Sequence, residues 1–347
     1  MKSFSVPAKM ALSWIGFLVW VCLATLAFSR STRAQSHDPV RLSSLNRPDA
    51  TTTAPIIDAP TKSLRLDVDL VLVPVMVTDL MSRPVTGLEK ENFALYEDHV
   101  QQGIRYFSTE DVPISVGLLL DLSKSMSNKF NTERAAVSEF FKNANAQDDY
   151  FVITFSDHPK LVTGSTQSID IIQSNLALEI PDGNTALLDA ISEGATRMRS
   201  AQYRRRALLI ISDGGDNHSR HHLKEIKRLV QDSDLEVYAI GIFDTSPFKS
   251  VEESLGKRWL SEITEATGGR TIAVDSASKV LEAAAAISRE MRDQYVLGYQ
   301  PTNMLGERGR RKITVQVAPP VGVRTLHTYY KTGYVPSEEA AQPLYTK

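Results

Sequence analysis

A chain of 347 residues with 42% hydrophobic and 23% charged residues is ordinary globular material, long enough for two modest domains and unlike a disordered or collagenous protein. Its formal net charge of −2, with no large basic cluster, excludes a nucleic-acid footprint. A single cysteine, Cys22, excludes a disulfide within the chain.

Lys2 and Lys9 precede an apolar segment at residues 10–28, and Thr32-Arg33-Ala34 offers small residues of the kind a signal peptidase requires. Residues 1–34 are therefore expected to be an export signal. The alternative is an uncleaved anchor, because residues 10–28 reach the length of a membrane span. Cleavage after Ala34 removes Lys2, Lys9, Arg30 and Arg33 and no acidic residue, taking the charge from −2 to −6, and removes Cys22 as well. The exported protein then depends on its core and any bound ions for stability. Residues 35–62 are rich in Ser, Thr, Pro, Asp and Asn without periodicity and are expected to form a flexible linker.

Leu64, Leu66, Val68 and Leu70 alternate with Arg65, Asp67 and Asp69, and further short β patterns follow around Phe93, Leu95, Ile104 and Tyr106. They predict a β module over residues 63–110 with too little apolar surface to stand alone. The rhythm then changes. An apolar run through residues 116–120 ends at Asp121, and further strands are expected at 150–155, 207–212, 235–242 and 271–274, with a short edge strand at Leu161-Val162. Helices are expected at 132–145, 169–178, 187–198, 222–230, 259–266 and 280–291. This alternation predicts an α/β domain over residues 112–292, a doubly wound, mostly parallel sheet covered on both faces. Strand patterns return over residues 293–335. They are too few for a third domain, so they are expected to pair with residues 63–110 as one small β-sandwich, ahead of a tail at 336–347.

Chemistry concentrates in three loops: Asp121-x-Ser123-x-Ser125, Gly183-Asn184-Thr185 and Ser212-Asp213-Gly214-Gly215-Asp216. All three are expected at the carboxyl edge of the parallel strands, where such sheets bind ligands. Two carboxylates, Asp121 and Asp213, with the hydroxyls of Ser123, Ser125 and Thr185, suit a hard cation of the Mg²⁺ type. The blander reading is that Asp121, Ser123 and Ser125 cap the next helix, but capping does not require three loops to agree. Asp189 and Asp216 read as first-turn or loop residues, and His218, His221 and His222 as a polar helix start. Arg204-Arg205-Arg206 reads as a solvated loop, and Tyr329, Tyr330 and Tyr334 as sandwich core or edge.

The order D-x-S-x-S, then Thr, then Asp resembles the von Willebrand factor type A domains that carry a metal-ion-dependent adhesion site. Here it is met by Asp121, Ser123, Ser125, Thr185 and Asp213. The strand Val116-Gly117-Leu118-Leu119-Leu120 and the run from Gly183 to Ala190 also resemble that family, over residues 112–292. In the flanks, Val73-Pro74-Val75, Gly87-Leu88, Glu97-Asp98 and Tyr295-x-Leu297-Gly298-Tyr299 resemble a bacterial exported group of VWFA-related proteins. The resemblance implies a site for Mg²⁺ or Mn²⁺ that recruits an acidic residue from a partner protein. Lys124 departs from the family, which usually has Gly there, and puts the affinity of the site in question.

The expected function is a non-enzymatic, exported binding module with an unidentified protein partner, periplasmic or extracellular, touching a membrane only if residues 10–28 stay uncleaved. No catalytic residue is expected. One alternative is a phosphoryl-transfer enzyme of the haloacid dehalogenase type, which also places an Asp after an apolar first strand, but its second acid would fall at Ser123. Another is a structural envelope protein whose metal only staples loops. A dinucleotide site is disfavoured because no Gly-rich turn follows the first strand.

Overall fold

The computed structural model describes residues 70–243, 251–301, 309–319 and 325–336, with residues 251–254 as helical backbone only. The expected signal (1–34), linker (35–62) and tail, except Pro336, lie outside these residues, as does nearly all of the alternating run at 64–70. All described residues fall within the unit Arg65–Lys347.

The first strands are β1 (Val71–Thr78), β2 (Phe93–Glu97), β3 (Val100–Gln102) and β4 (Ile104–Ser108). The α/β part follows as β5 (Ser115–Asp121), α1 (Phe130–Phe141), β6 (Asp149–Phe155), β7 (Pro159–Thr166), α2 (Ile169–Leu176), α3 (Leu187–Met198) and β8 (Arg206–Ser212). It continues through α4 (Leu223–Asp232), β9 (Glu236–Ile242), α5 (Val251–Thr267), β10 (Thr271–Val274) and α6 (Ala277–Arg292). The chain then returns to β structure in β11 (Tyr295–Tyr299), β12 (Arg311–Val317), β13 (His327–Tyr330) and β14 (Gly333–Tyr334).

Six strands form the central sheet in the order β10-β9-β8-β5-β6-β7, parallel except for the antiparallel edge strand β7. Every residue of β5 and β6 is buried, which is why both read as continuous apolar runs rather than alternating ones. Side chains still divide by the two-residue period. Val116, Leu118, Leu120, Leu209 and Ile211 pack with α1 and α6, whereas Leu119, Leu208 and Ile210 pack with α3, α4 and α5. The strand order thereby places the ends of β5 and β8 side by side at the middle of the sheet.

Some boundaries differ from expectation. The short edge strand at Leu161-Val162 is the eight-residue β7, whose exposed Lys160, Leu161, Gly164 and Ser165 hide the pattern. α5 starts at Val251, well before residue 259, and Glu252, Glu253, Lys257 and Arg258 in its early turns hide that start by interrupting any apolar stripe in the sequence. Arg205 and Arg206 are not a solvated loop. Arg205 donates to the carbonyl of Met291 and to Gln294 Oε1, both at 2.7 Å, and Arg206 donates to the carbonyls of Met198 and Ser233.

The flanking strands build two four-stranded sheets, β13-β1-β11-β4 and β14-β12-β2-β3. Each joins strands from before and after the α/β part: Val73 lies opposite Leu297, and Leu95 opposite Val315. Their facing side chains, among them Val75, Phe93, Leu95, Leu297, Tyr299 and Ile313, make a third core. Glu97 closes it, accepting hydrogen bonds from Tyr299 Oη at 2.5 Å, Arg311 Nη1 at 2.6 Å and Tyr334 Oη at 3.0 Å. Contacts to the α/β part involve residues at the amino ends of its strands: Gln294 bonds Glu236, and Lys331 pairs with Asp234. The carboxyl ends of β5 and β8 point the other way.

Glu97→Ala removes the carboxylate that four β-strands share and withdraws a buried partner from Arg311. It is expected to lower stability by about 3 kcal/mol, read from the midpoint of urea unfolding.

Candidate functional site

β5 ends on Asp121, whose side chain is wholly buried. Its Oδ1 accepts the backbone N–H of Ser123 at 2.9 Å, and its Oδ2 accepts the hydroxyl of Ser212 at 2.6 Å. The Ser123 and Ser125 hydroxyls lie 3.0 Å apart. Neither caps α1, which starts at Phe130 after Lys129, and the intervening short turn Lys124–Met126 receives no side-chain cap from Ser123. The helix-cap reading of Asp121, Ser123 and Ser125 therefore fails for α1.

Backbone hydrogen bonds stitch the first loop to the second: Asp182 donates to the Leu122 carbonyl at 2.8 Å, and Lys124 donates to the Gly183 carbonyl at 3.0 Å. The second loop is tied to the third because Thr185 donates its N–H to Asn217 Oδ1 and accepts from the N–H groups of Asn217 and His218. The Ser212–Asp121 bond ties the third to the first. Asp121, Ser123, Ser125, Thr185 and Asp213 thus stand on three mutually bonded loops. Asp157, just past β6, steadies the second by accepting from Asn184 N and Nδ2 at 2.9 and 2.8 Å.

The third loop also leans on α5. Gly214 has φ +81°, and a Cβ there would lie 2.8 Å from the Gly256 backbone, so Gly–Gly contact sets the position of Asp213. Asp189 and Asp216 take supporting parts. Asp216 Oδ2 accepts the N–H of Leu188 at the start of α3, and Asp189 accepts from Arg220 N, His221 N and the His221 ring. The His218 ring stands beside that of His158, 5.8 Å between centroids. No group of three or more His, Cys, Asp or Glu suited to a metal occurs among the described residues.

Electrostatics single out Asp121. Burial pushes its carboxyl up to about 7, and the nearby Asp213 charge adds to the effect against the hydrogen bonds from Ser123 and Ser212. Glu133, fully buried in α1, is pushed well above its ordinary value by burial and by the same two charges. Carboxylates crowded against neutral hydroxyls lack a positive charge. A hard divalent cation supplies it and accepts such a donor set of carboxylate and hydroxyl oxygens, so these residues fit a Mg²⁺-type ion.

Ser212, Glu133 and Asn217 were missed by the sequence reading. Ser212 opens the third loop, and Glu133 falls on the buried stripe of α1 with Phe130, Val137 and Phe140, where a charge is out of place. Asn217 carried no signal.

Residues 116–215 match the family model for the von Willebrand factor type A domain, a span holding all five candidate ligands. No curated protein matches the chain. Among solved structures, the conserved hypothetical protein BatB from Bacteroides thetaiotaomicron is similar at 17% identity over 51% of this chain and 98% of that one, with a TM-score of 0.42. An aerotolerance-related membrane protein from Bacteroides fragilis is similar at 20% identity over 51% and 98%, with a TM-score of 0.41. A von Willebrand factor type A protein from Catenulispora acidiphila is similar at 9% identity over 80% and 76%, with a TM-score of 0.46. Likenesses of this degree add nothing to what the strand order and the matched span already carry.

Asp121 is raised to about 7 by burial and Asp213, so it binds its proton more tightly folded than unfolded, and the metal-free protein is expected to lose stability as pH rises from about 4 to about 7. Thermal melts in EDTA are expected to fall over that window and to recover with excess Mg²⁺. Asp121→Asn is expected to flatten the fall and abolish the Mg²⁺-dependent gain. Gly256→Ala, which drives a methyl group into the Gly214 backbone, is expected to weaken Mg²⁺ binding in calorimetry by shifting Asp213.

Proposed function

We propose that residues 121–125, 183–185 and 212–213 hold Mg²⁺ or Mn²⁺ through Asp121, Ser123, Ser125, Thr185 and Asp213, and that this ion binds a carboxylate of a partner protein without a catalytic step. The observation that carries this reading is the buried Asp121, its proton affinity raised by burial and by Asp213, held by Ser123 and Ser212 on loops that are cross-bonded to the one carrying Thr185. When bound, the cation supplies positive charge and a coordination position open to an outside acid. Two Asp charges balance the ion, and the neutral hydroxyls leave it electrophilic enough to attract one more carboxylate.

The chain's own residues prepare the surface around it. Ser212 and the Ser123 N–H hold Asp121 in one orientation, and the Thr185–Asn217 contacts fix the second loop. The adjoining loop presents Leu178 and Ile180, 78% and 83% exposed, and is bonded to the first loop through Asp182. Exposed apolar side chains next to a charged anchor suit a protein partner better than a small ion. Lys124 is exposed on the same rim, where its charge favours an acidic partner. The export pattern of residues 1–34 supports placing this activity outside the cytoplasmic membrane.

The test compares proteins captured from envelope extracts by the full chain in Mg²⁺ and in EDTA, alongside Thr185→Ala and Asp213→Ala. A captured set lost in EDTA and in both variants is expected. An unchanged set, with the fold intact by circular dichroism, refutes the adhesion reading and leaves a metal that only staples loops.

A further inference from the structure

Glu133 lies near the start of α1, on the stripe that buries Phe130, Val137 and Phe140. Its side chain is fully buried. Oε1 accepts the backbone N–H of Asp121 at 3.1 Å, and the buried Oε2 has no hydrogen-bond partner among the described residues. An oxygen left without a donor in the interior is unfavourable, and burial beside the Asp121 and Asp213 charges makes an ionised Glu133 more so. The position asks only for an apolar side chain, like its stripe neighbours, if its purpose is to fill space. A glutamate there destabilises the metal-free protein unless something completes its bonding. Its bond to the Asp121 main chain sets the Glu133 carboxyl against the end of β5 that carries the proposed site, and the Asp121 and Asp213 charges both act on it.

We propose that Glu133 is a positioning residue of that centre: Oε1 holds the main chain of Asp121, and Oε2 takes its missing hydrogen bond from the hydration shell of the bound cation. This rests on the metal reading above and extends it, because neither the carboxylate and hydroxyl set nor the loop motifs include a residue of α1. Mg²⁺ retains water readily, and outer partners that orient ligands and bound water commonly govern affinity by 10–100-fold. Glu133 also couples α1 to the site. A cation that completes the bonding of Glu133 fixes the first turn of that helix against the end of β5.

The experiment is calorimetric titration of Mg²⁺ into the full chain, with thermal melts in EDTA. Glu133→Gln keeps an oxygen for the Asp121 N–H but presents an amide in place of the acceptor Oε2. It is expected to weaken Mg²⁺ binding at least 10-fold while melting in EDTA no lower than the unmodified chain. Glu133→Leu, matched to the apolar stripe, serves as the second variant and is expected to weaken binding similarly. Mg²⁺ affinity within twofold of the unmodified chain in a folded variant overturns the proposal and leaves the metal site standing. So does a lower melting point in EDTA with unchanged affinity, which marks a purely structural role. Absence of Mg²⁺ binding by the unmodified chain overturns the metal reading and this inference with it.

Discussion

The site turns on one buried carboxylate. Asp121 ends a strand with no exposed residue, and its two oxygens are held by the Ser123 N–H and the Ser212 hydroxyl. Those bonds orient it without neutralising it, and Asp213 opposes its charge. Burying an uncompensated charge is among the costliest things a fold can do, so the surrounding loops gain most from whatever compensates it.

The fold separates that expense from its support. The sandwich joins strands from both ends of the chain and contacts residues at the amino ends of the parallel strands, through Gln294, Lys331 and neighbouring groups. Two apolar cores cover the faces of the sheet. Among the described residues the carboxyl ends of β5 and β8 are met by loops that are bonded to one another. The Leu122–Asp182, Lys124–Gly183 and Thr185–Asn217 contacts make a frame in which moving one loop strains the others. Close approach of Gly214 to Gly256 carries that frame onto α5.

Much of the fold was legible because buried parallel strands announce themselves. Leu118, Leu119 and Leu120 run unbroken into Asp121, and helices alternate with such runs at regular spacing. The pairing of the flanking β segments was legible for a different reason: neither group has enough apolar surface to stand alone, and each supplies what the other lacks. The full extents of β7 and α5 were not legible. β7 is half exposed, and the early turns of α5 are charged, so neither carries a clean period. Arg205 and Arg206 read as solvated because charge usually means solvent, yet carbonyls distant in sequence hold them.

The sequence by itself determined the alternation of strands and helices and the placing of oxygen-bearing residues at Asp121, Ser123, Ser125, Thr185 and Asp213 just past apolar segments or before a helix. Those features are local, set by hydrophobic period and by residue type. Only the tertiary structure decided that Ser212 orients Asp121 from 91 residues away, that Asn217 holds Thr185, and that Glu133 sits fully buried with one oxygen unbonded among the described residues. Such contacts depend on which strands become neighbours and which helix face turns inward. Neither is written in the spacing of any one segment.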